Sequence, residues 1–185
     1  WYLNPAYSML VGSSLTVGTA ARLEILPGTV LKFAQFQGLL VDGSLSAVGT
    51  AMAPVQFTDW RDDRAGGDAN RDAAATAPAP NWWSGIVVRN AGSATLEHAQ
   101  IRYAGYWNQA GLVKAGAGDL TLLRSTIQHT AGDGLRLENS AGEHFVERNE
   151  LAENRVGVLV RDQTQTLVLT ANLVEKNTDI GVRNQ

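Results

Sequence analysis

The stretch "GLRLENSAGEHFVERNELAENRVGVLVRD", residues 134–162, contains its own beginning twice. The glycine-led run at Gly134 returns at Gly157, 23 residues later. Two more short alternating runs lie between them, around His144/Val146 and Leu151–Glu153. Apolar and polar residues alternating over such short lengths form the period-two pattern of half-buried strands. Three strands per repeat therefore follow from this one stretch.

The repeat extends in both directions. Glycine-led segments begin at Gly38, Gly85, Gly111, Gly134, Gly157 and Gly181, with spacings of 47, 26, 23, 23 and 24 residues. A second motif keeps phase with them: "LKF" (31–33), "VQF" (55–57), "IRY" (101–103), "IQH" (127–129), "LAE" (151–153) and "VEK" (174–176). Between the two recur Ala94/Leu96, Leu120/Leu122, His144/Val146 and Leu167/Leu169. No window carries a sustained helical stripe. Units of three short strands that bury an inner face only by stacking on their neighbours predict an all-β parallel β-helix of about seven coils of ~23 residues. It is expected to fill residues 1–185 as a single domain, with 1–12 as a lead-in or cap. The doubled first spacing marks one long insertion, residues 59–83.

Stacking turns the repeats into columns ~4.8 Å apart. Residues one and three after each glycine are predicted to point inward, as Ile86/Val88, Leu135/Leu137 and Val158/Val160. Those two and four after it point outward. Lys114 breaks this rule, so the strand in that coil is expected to end early. Asn149/Asn154 and Asn172/Asn177, preceded one coil earlier by Ser125/Thr130, fit a repeated corner where asparagine tolerates left-handed backbone and bonds along the stack. Phe33, Phe57, Tyr103 and His129 read as an inward aromatic column. Asp42, Arg89, Ala115, Glu138 and Arg161 read as an outward row of mutually paired charges. Leu40, Val87, Val113, Arg136 and Leu159 read as an apolar outer strip facing a neighbouring domain or chain.

Composition sets the outer bounds. The chain has 185 residues, 44% apolar and 18% charged, enough for one domain with a sizeable core. A net charge of −3 excludes a nucleic-acid partner that needs a basic face. No apolar run approaches the ~18 residues of a membrane span. With no cysteine there are no disulfides or thiolate metal sites. The start at Trp1 fits a processed or trimmed terminus, and "IGVRNQ" stops inside a coil, so a fragment of a larger protein is expected.

Here the chain resembles the secreted right-handed parallel β-helix proteins of the pectate-lyase-like superfamily. The segments "LEILPGTVLKF", "GLLVDGSLSAVGTAMAPVQFT" and "NWWSGIVV" are similar to the first coils of bacterial cell-surface modules of this kind. The resemblance implies a right-handed coil and an extracellular or cell-surface, bacterial location. The fold alone does not imply an activity, because it carries lyases, hydrolases, adhesins and scaffolds. Pectin-cleaving hydrolases of the superfamily carry NTD, DD, GHG and RIK on successive coils. Here "NTD" stands at Asn177–Asp179 with neither GHG nor RIK, and Asp62–Asp63 lie on a distant coil. Arg136, Arg161 and Arg183 sit at unequal offsets for a basic lyase site. No catalytic residues are assigned.

The insertion "DWRDDRAGGDANRDAAATAPAPNWW" is the distinctive element. It leaves one coil at the corner where the next coil carries the slightly longer "AGYWNQA", 104–110, so the two loops should meet. Trp60, Trp82, Tyr106, Trp107 and Asn108 are the candidates for glycan contact, since tryptophan faces take sugar C–H faces while amides bond hydroxyls. Trp83, directly before Ser84–Gly85, is expected to pack inward. Asp68, Asn70 and Asp72 alternate as oxygen ligands for calcium, and Asp59, Asp62 and Asp63 could complete the site if the loop folds back. The resulting expectation is a non-catalytic adhesion or scaffolding module that contacts a polysaccharide or cell-surface glycan through a calcium-stabilised loop. The alternatives are a lyase or hydrolase acting on an acidic polysaccharide, and a purely structural or assembly spacer.

Overall fold

A computed structural model describes residues 2–3, 8–162 and 166–185. Part of the 1–12 lead-in, residues 1 and 4–7, lies outside the described residues. The remainder of that segment supplies the first strands of two sheets, Tyr2–Leu3 and Met9–Val11. Every strand pairs in parallel with the strand one coil away, and three sheets of seven strands each result. This is the all-β parallel β-helix of about seven turns that the repeat predicts.

Each sheet contributes inward rows that stack apolar side chains along the axis. In the glycine-led sheet, Ile86, Leu112, Leu135, Val158 and Val182 are in register. In the second, Leu31, Phe57, Ile101, Ile127, Leu151 and Val174 align. In the third, Ala94, Leu120, His144 and Leu167 align as the sequence implies. Burying each leucine- or isoleucine-sized side chain contributes roughly 1.5–3 kcal/mol, which no single coil could gain alone.

The corners explain the rest of the repeat. Asn149 Oδ1 accepts from the Ser125 amide at 2.8 Å, and the Asn149 amide donates to Asn172 Oδ1 at 2.9 Å. Asn154 Oδ1 accepts from the Thr130 amide at 3.1 Å, and the Asn154 amide donates to Asn177 Oδ1 at 3.0 Å. The asparagine is therefore the ladder, and the left-handed residue is the one before it. Arg148, Glu153, Ala171 and Lys176 take φ of 55, 56, 54 and 53°. In the asparagine coils the recurring glycine is a steric answer to this ladder. A Cβ on Gly134 would stand 2.8 Å from Asn154 Nδ2, and one on Gly157 would stand 2.9 Å from Asn177 Nδ2. "NTD" is absorbed here too: Asn177 is a ladder rung and Asp179 binds Arg183 at 2.7 Å.

Asn154→Ala is expected to destabilise the chain by about 2–3 kcal/mol, since it strands the buried Thr130 amide and the Ile127 carbonyl. Urea unfolding followed by far-UV circular dichroism measures this, and a loss below about 0.5 kcal/mol would remove the ladder as a stability element.

Four expectations change. The strand at Lys114 does not end early but runs Leu112–Gly116, with a bulge after Ala115. Lys114 points inward in register with Val88 and Leu137, and is 0% exposed. Its Nζ donates to the Ala115 and Gly116 carbonyls at 2.6 and 3.2 Å, so the corner itself satisfies it. The inward aromatic column is not continuous. Leu31 pairs with Phe57 and Phe33 pairs with Asp59, a two-residue offset that leaves the inside–outside alternation unchanged. Tyr103 and His129 do stack, 5.3 Å apart, but at a left-handed corner with φ of 61 and 56°.

The outer apolar strip is closed at two of its positions, Val113 and Leu159, which are 4% and 2% exposed, while Leu40 and Val87 are half-buried. Of the charged row, Asp42 takes Arg89 at 2.9 Å, whereas Arg161 donates to Gln185 rather than Glu138.

Candidate functional site

The insertion leaves the strand Val55–Asp59 and rejoins the coil before Gly85–Val88. Asp59 closes its neck. That buried carboxylate accepts from the Arg61 backbone and guanidinium at 2.9 and 2.6 Å, and from the Ala79 amide at 3.2 Å. The Arg61 guanidinium lies 3.4 Å over the Trp82 ring, adding a cation–π contact. Trp83 then re-enters the core, 0% exposed, stacked on Phe33 at 4.3 Å, with its indole N–H donating to the Arg102 carbonyl at 2.8 Å. It bridges in parallel to Ala104, so the excursion ends before it.

Beneath the loop lies a second set of buried polar groups. Asp62, 1% exposed, accepts from Thr58 Oγ1 at 2.7 Å and takes Arg102 at 3.3 Å. Lys32, on the outward row between Leu10 and Thr58, is covered completely. Its Nζ donates to the carbonyls of Asp62, at 2.9 Å, and of Gly67. Burial pulls its ammonium below the usual lysine range, and the carboxylates of Asp62, Asp63, Asp68 and Asp59 oppose that.

The tip is built from Asx turns. Asp68 accepts from the Asp72 and Ala73 amides at 3.2 and 3.0 Å. Asp72 accepts from the Ala75 and Thr76 amides, each at 3.1 Å, from Asn70 Nδ2 at 2.8 Å, and from the Thr76 hydroxyl. The Thr76 hydroxyl bond is the main cause holding the Asp72 carboxyl below its ordinary value. Of the six calcium candidates, Asp63, Asp68 and Asp72 come together, with one carboxylate oxygen of each within 4.8 Å of the others. Asp59 and Asp62 are committed to arginines, and Asn70 turns its amide donor toward Asp72.

The second loop meets the first. A short 3-10 turn, Tyr106–Asn108, follows Gly105 at φ 93°, a left-handed value that favours glycine. Trp107 and Asn108 are also left-handed, at φ 55 and 58°. Asn81 from the insertion holds this turn, its Oδ1 accepting from the Trp107 amide at 2.8 Å. The result is an aromatic run: Phe36 lies 4.4 Å from Tyr106, which lies 5.8 Å from Trp107. Trp107 is 78% exposed. Trp82 is half-buried under Arg61, Trp60 is half-buried where the insertion leaves its strand, and Asn108 presents its carbonyl to Arg136 at 3.3 Å. Phe36 is the member of this platform that sequence reasoning missed. Its place one coil before the insertion, at the same corner, was the available signal.

A cleft of about 450 Å³ opens between loop and coil, walled by Arg61–Arg64, Thr76–Pro78 and Tyr103. Burial pushes the Tyr103 phenol above its usual range. Among the described residues, seven buried side-chain polar atoms lack a hydrogen-bond partner, and five of them belong to Asp62, Asp63, Asn70, Trp82 and Arg102. Such atoms are rare in settled structure, so their concentration at one corner sets it apart from the repeats.

Two buried polar groups elsewhere also escaped the sequence. Asp133, 0% exposed, holds Arg136 at 2.6 Å and Arg155 at 3.0 Å, which takes Arg136 out of any lyase-like row. Ser140 Oγ lies 2.6 Å from His144 Nε2, wholly inside the core and away from both loops.

No curated protein and no solved structure matches the chain. The family profile described as the right handed beta helix region matches residues 84–185. That segment holds the regular coils and their ladders, more than half of the chain, and with it this chain belongs to the right-handed β-helix family.

Proposed function

We propose that this chain is a non-catalytic, extracellular β-helix module, serving adhesion or scaffolding, whose two-loop corner contacts carbohydrate. The observation that carries the reading is Trp107. A large apolar ring 78% exposed, on a backbone in a left-handed conformation and pinned by Asn81, is expensive unless a partner covers it. Phe36 and Tyr106 extend it into a run of rings tilted by 46 and 23° to one another, an apolar ridge suited to sugar C–H faces, and the cleft at Arg61–Arg64 supplies arginine and aspartate side chains for hydroxyl groups. Asp59, the more enclosed carboxylate at the neck, has its oxygens taken by Arg61 and Ala79, which favours binding over acid–base chemistry there.

The expected result on a glycan array is selective binding that weakens by about tenfold or more in Trp107→Ala, as for loss of a central aromatic anchor. Unchanged binding by a Tyr106→Ala/Trp107→Ala double variant would remove the sugar reading, and release of sugar fragments by the pure chain would replace it with catalysis. Calcium at the tip is a second reading, favoured by Asp63, Asp68 and Asp72 and by the partnerless Asp63 and Asn70 Oδ1 atoms. It requires a calcium-dependent rise in melting temperature that Asp68→Asn abolishes.

A further inference from the structure

We propose that the base of the acidic loop is organised by a lysine of the scaffold: the Lys32 ammonium is the cation around which residues 62–67 fold. An outward lysine on a β-helix face normally reaches solvent with its three donors. Lys32 is instead 0% exposed, and two of its bonds go to loop carbonyls, those of Asp62 and Gly67. These carbonyls stand five residues apart in the chain and converge on one nitrogen, which fixes the path between them. The negative charges of Asp62, Asp63, Asp68 and Asp59 favour the same ammonium. Backbone carbonyl oxygens converging on a cation are part of the donor set a hard metal ion takes, and here a tethered ammonium takes them.

The scaffold also fixes the loop side of the contact. Thr58, the neighbour of Lys32 in the next coil, donates to Asp62 Oδ2 at 2.7 Å, and Arg102, one coil further on, reaches the same oxygen at 3.3 Å. Three successive coils thus grip Asp62, and Lys32 is the only one of the three to reach past it to Gly67. An ammonium buried without partners is strongly unfavourable, so the loop and Lys32 require each other. The Lys32 tie keeps the corner in place whatever the corner touches, and it is independent of glycan binding.

Trypsin tests it on the intact chain, because Arg64 lies inside the gripped segment and Arg71 lies at the tip. Wild type is expected to resist cleavage after Arg64 equally in calcium and in chelator. Lys32→Met is expected to be cut there about tenfold faster or more, through local opening of the loop, while its far-UV β signal persists. Because the chain has no cysteine, Lys32→Cys offers a single thiol. Its aminoethylation in denaturant, followed by refolding, restores a lysine-like ammonium and is expected to restore protection to within about threefold.

Three outcomes would overturn the proposal. One is Lys32→Met cleaved after Arg64 at the wild-type rate. Another is wild type cleaved about tenfold faster after Arg64 in chelator, which would make a metal the organiser. The third is aminoethylated Lys32→Cys left as open as its parent while wild type refolds normally. If Lys32→Met does not fold, the chelator and aminoethylation arms still decide. Calcium dependence confined to Arg71 belongs to the tip and leaves the proposal standing.

Discussion

Trp83→Ala is expected to lower the unfolding free energy by about 3–5 kcal/mol, the range for emptying a large aromatic from a packed core. Two side-chain connections fail together in that variant, and a third, through the backbone, is loosened. The stack on Phe33 at 4.3 Å is lost, and with it the cross-coil contact beneath the neck of the insertion. The Arg102 carbonyl loses its indole donor. Third, the backbone carbonyl of Trp83 receives the Tyr106 amide at 3.1 Å, so disorder at position 83 propagates to the second loop. Trp82→Ala is the control. Its ring is half-buried beneath Arg61 and its indole nitrogen has no partner, so its loss is expected to stay below about 1.5 kcal/mol. Denaturant unfolding of the two variants side by side measures the difference. Equal costs would mean that Trp83 is not the anchor of the two-loop corner.

Lys114→Met is expected to act in the opposite direction and stabilise the chain by about 1–4 kcal/mol at neutral pH, as when a buried ion gives way to an apolar side chain of similar volume. Burial is the cause that brings the Lys114 ammonium down to about 8, with Asp119 opposing it weakly. The sign follows from proton counting. Between about 8 and the ordinary lysine value of 10.5, the unfolded chain holds the Lys114 proton and the folded chain has released it. Wild-type stability is therefore expected to rise with pH across that window, by at most about 1.4 kcal/mol per pH unit for one proton. Below pH 8 both states are protonated, and the burial penalty is constant.

Lys32 is shifted in the same direction, so the wild-type curve alone does not isolate Lys114. The difference between wild type and Lys114→Met does, because the two lysines lie in separate coils. Urea melts at pH 7, 8, 9 and 10 measure it, and parallel curves for the two proteins would refute the account. His144 provides an internal check. Its imidazole is held below the usual range by burial and, secondly, by Lys114, so it is expected to titrate at a higher pH in Lys114→Met.

The coils were legible in the sequence because inside–outside alternation and the ladder residues are local patterns repeated at one spacing. Asn149 and Asn154 could be assigned to one corner each without knowledge of any contact. Register was less legible. A strand that slips by two residues keeps its alternation, which is why Phe33 and Phe57 seemed stacked in sequence and are separated in space. Lys114 is ambiguous in the sequence for a related reason: alternation places it inside, chemistry argues it out, and only the nearby corner carbonyls resolve the conflict. The two-loop corner was readable as a meeting of aromatics and acids. Which acid met which cation was not, because Lys32 lies 27 residues before Asp59 in a strand that looks ordinary.

The direction of the sheet bonds has a mechanical consequence. Parallel strands lie across the long axis, so the hydrogen bonds between coils lie along it, and a tension applied between the two ends loads successive coils in series. Such a chain pays out by peeling rather than by shearing, one turn at a time from whichever end is weaker. Each regular turn of about 23 residues would release roughly 8 nm of contour at ~3.4 Å per residue. The turn between Gly38 and Gly85 holds 47 residues, about twice that slack, but its neck is tied by Asp59 and its floor by Lys32. Those ties make the acidic loop a reserve of length that stays folded until its own coil is undone.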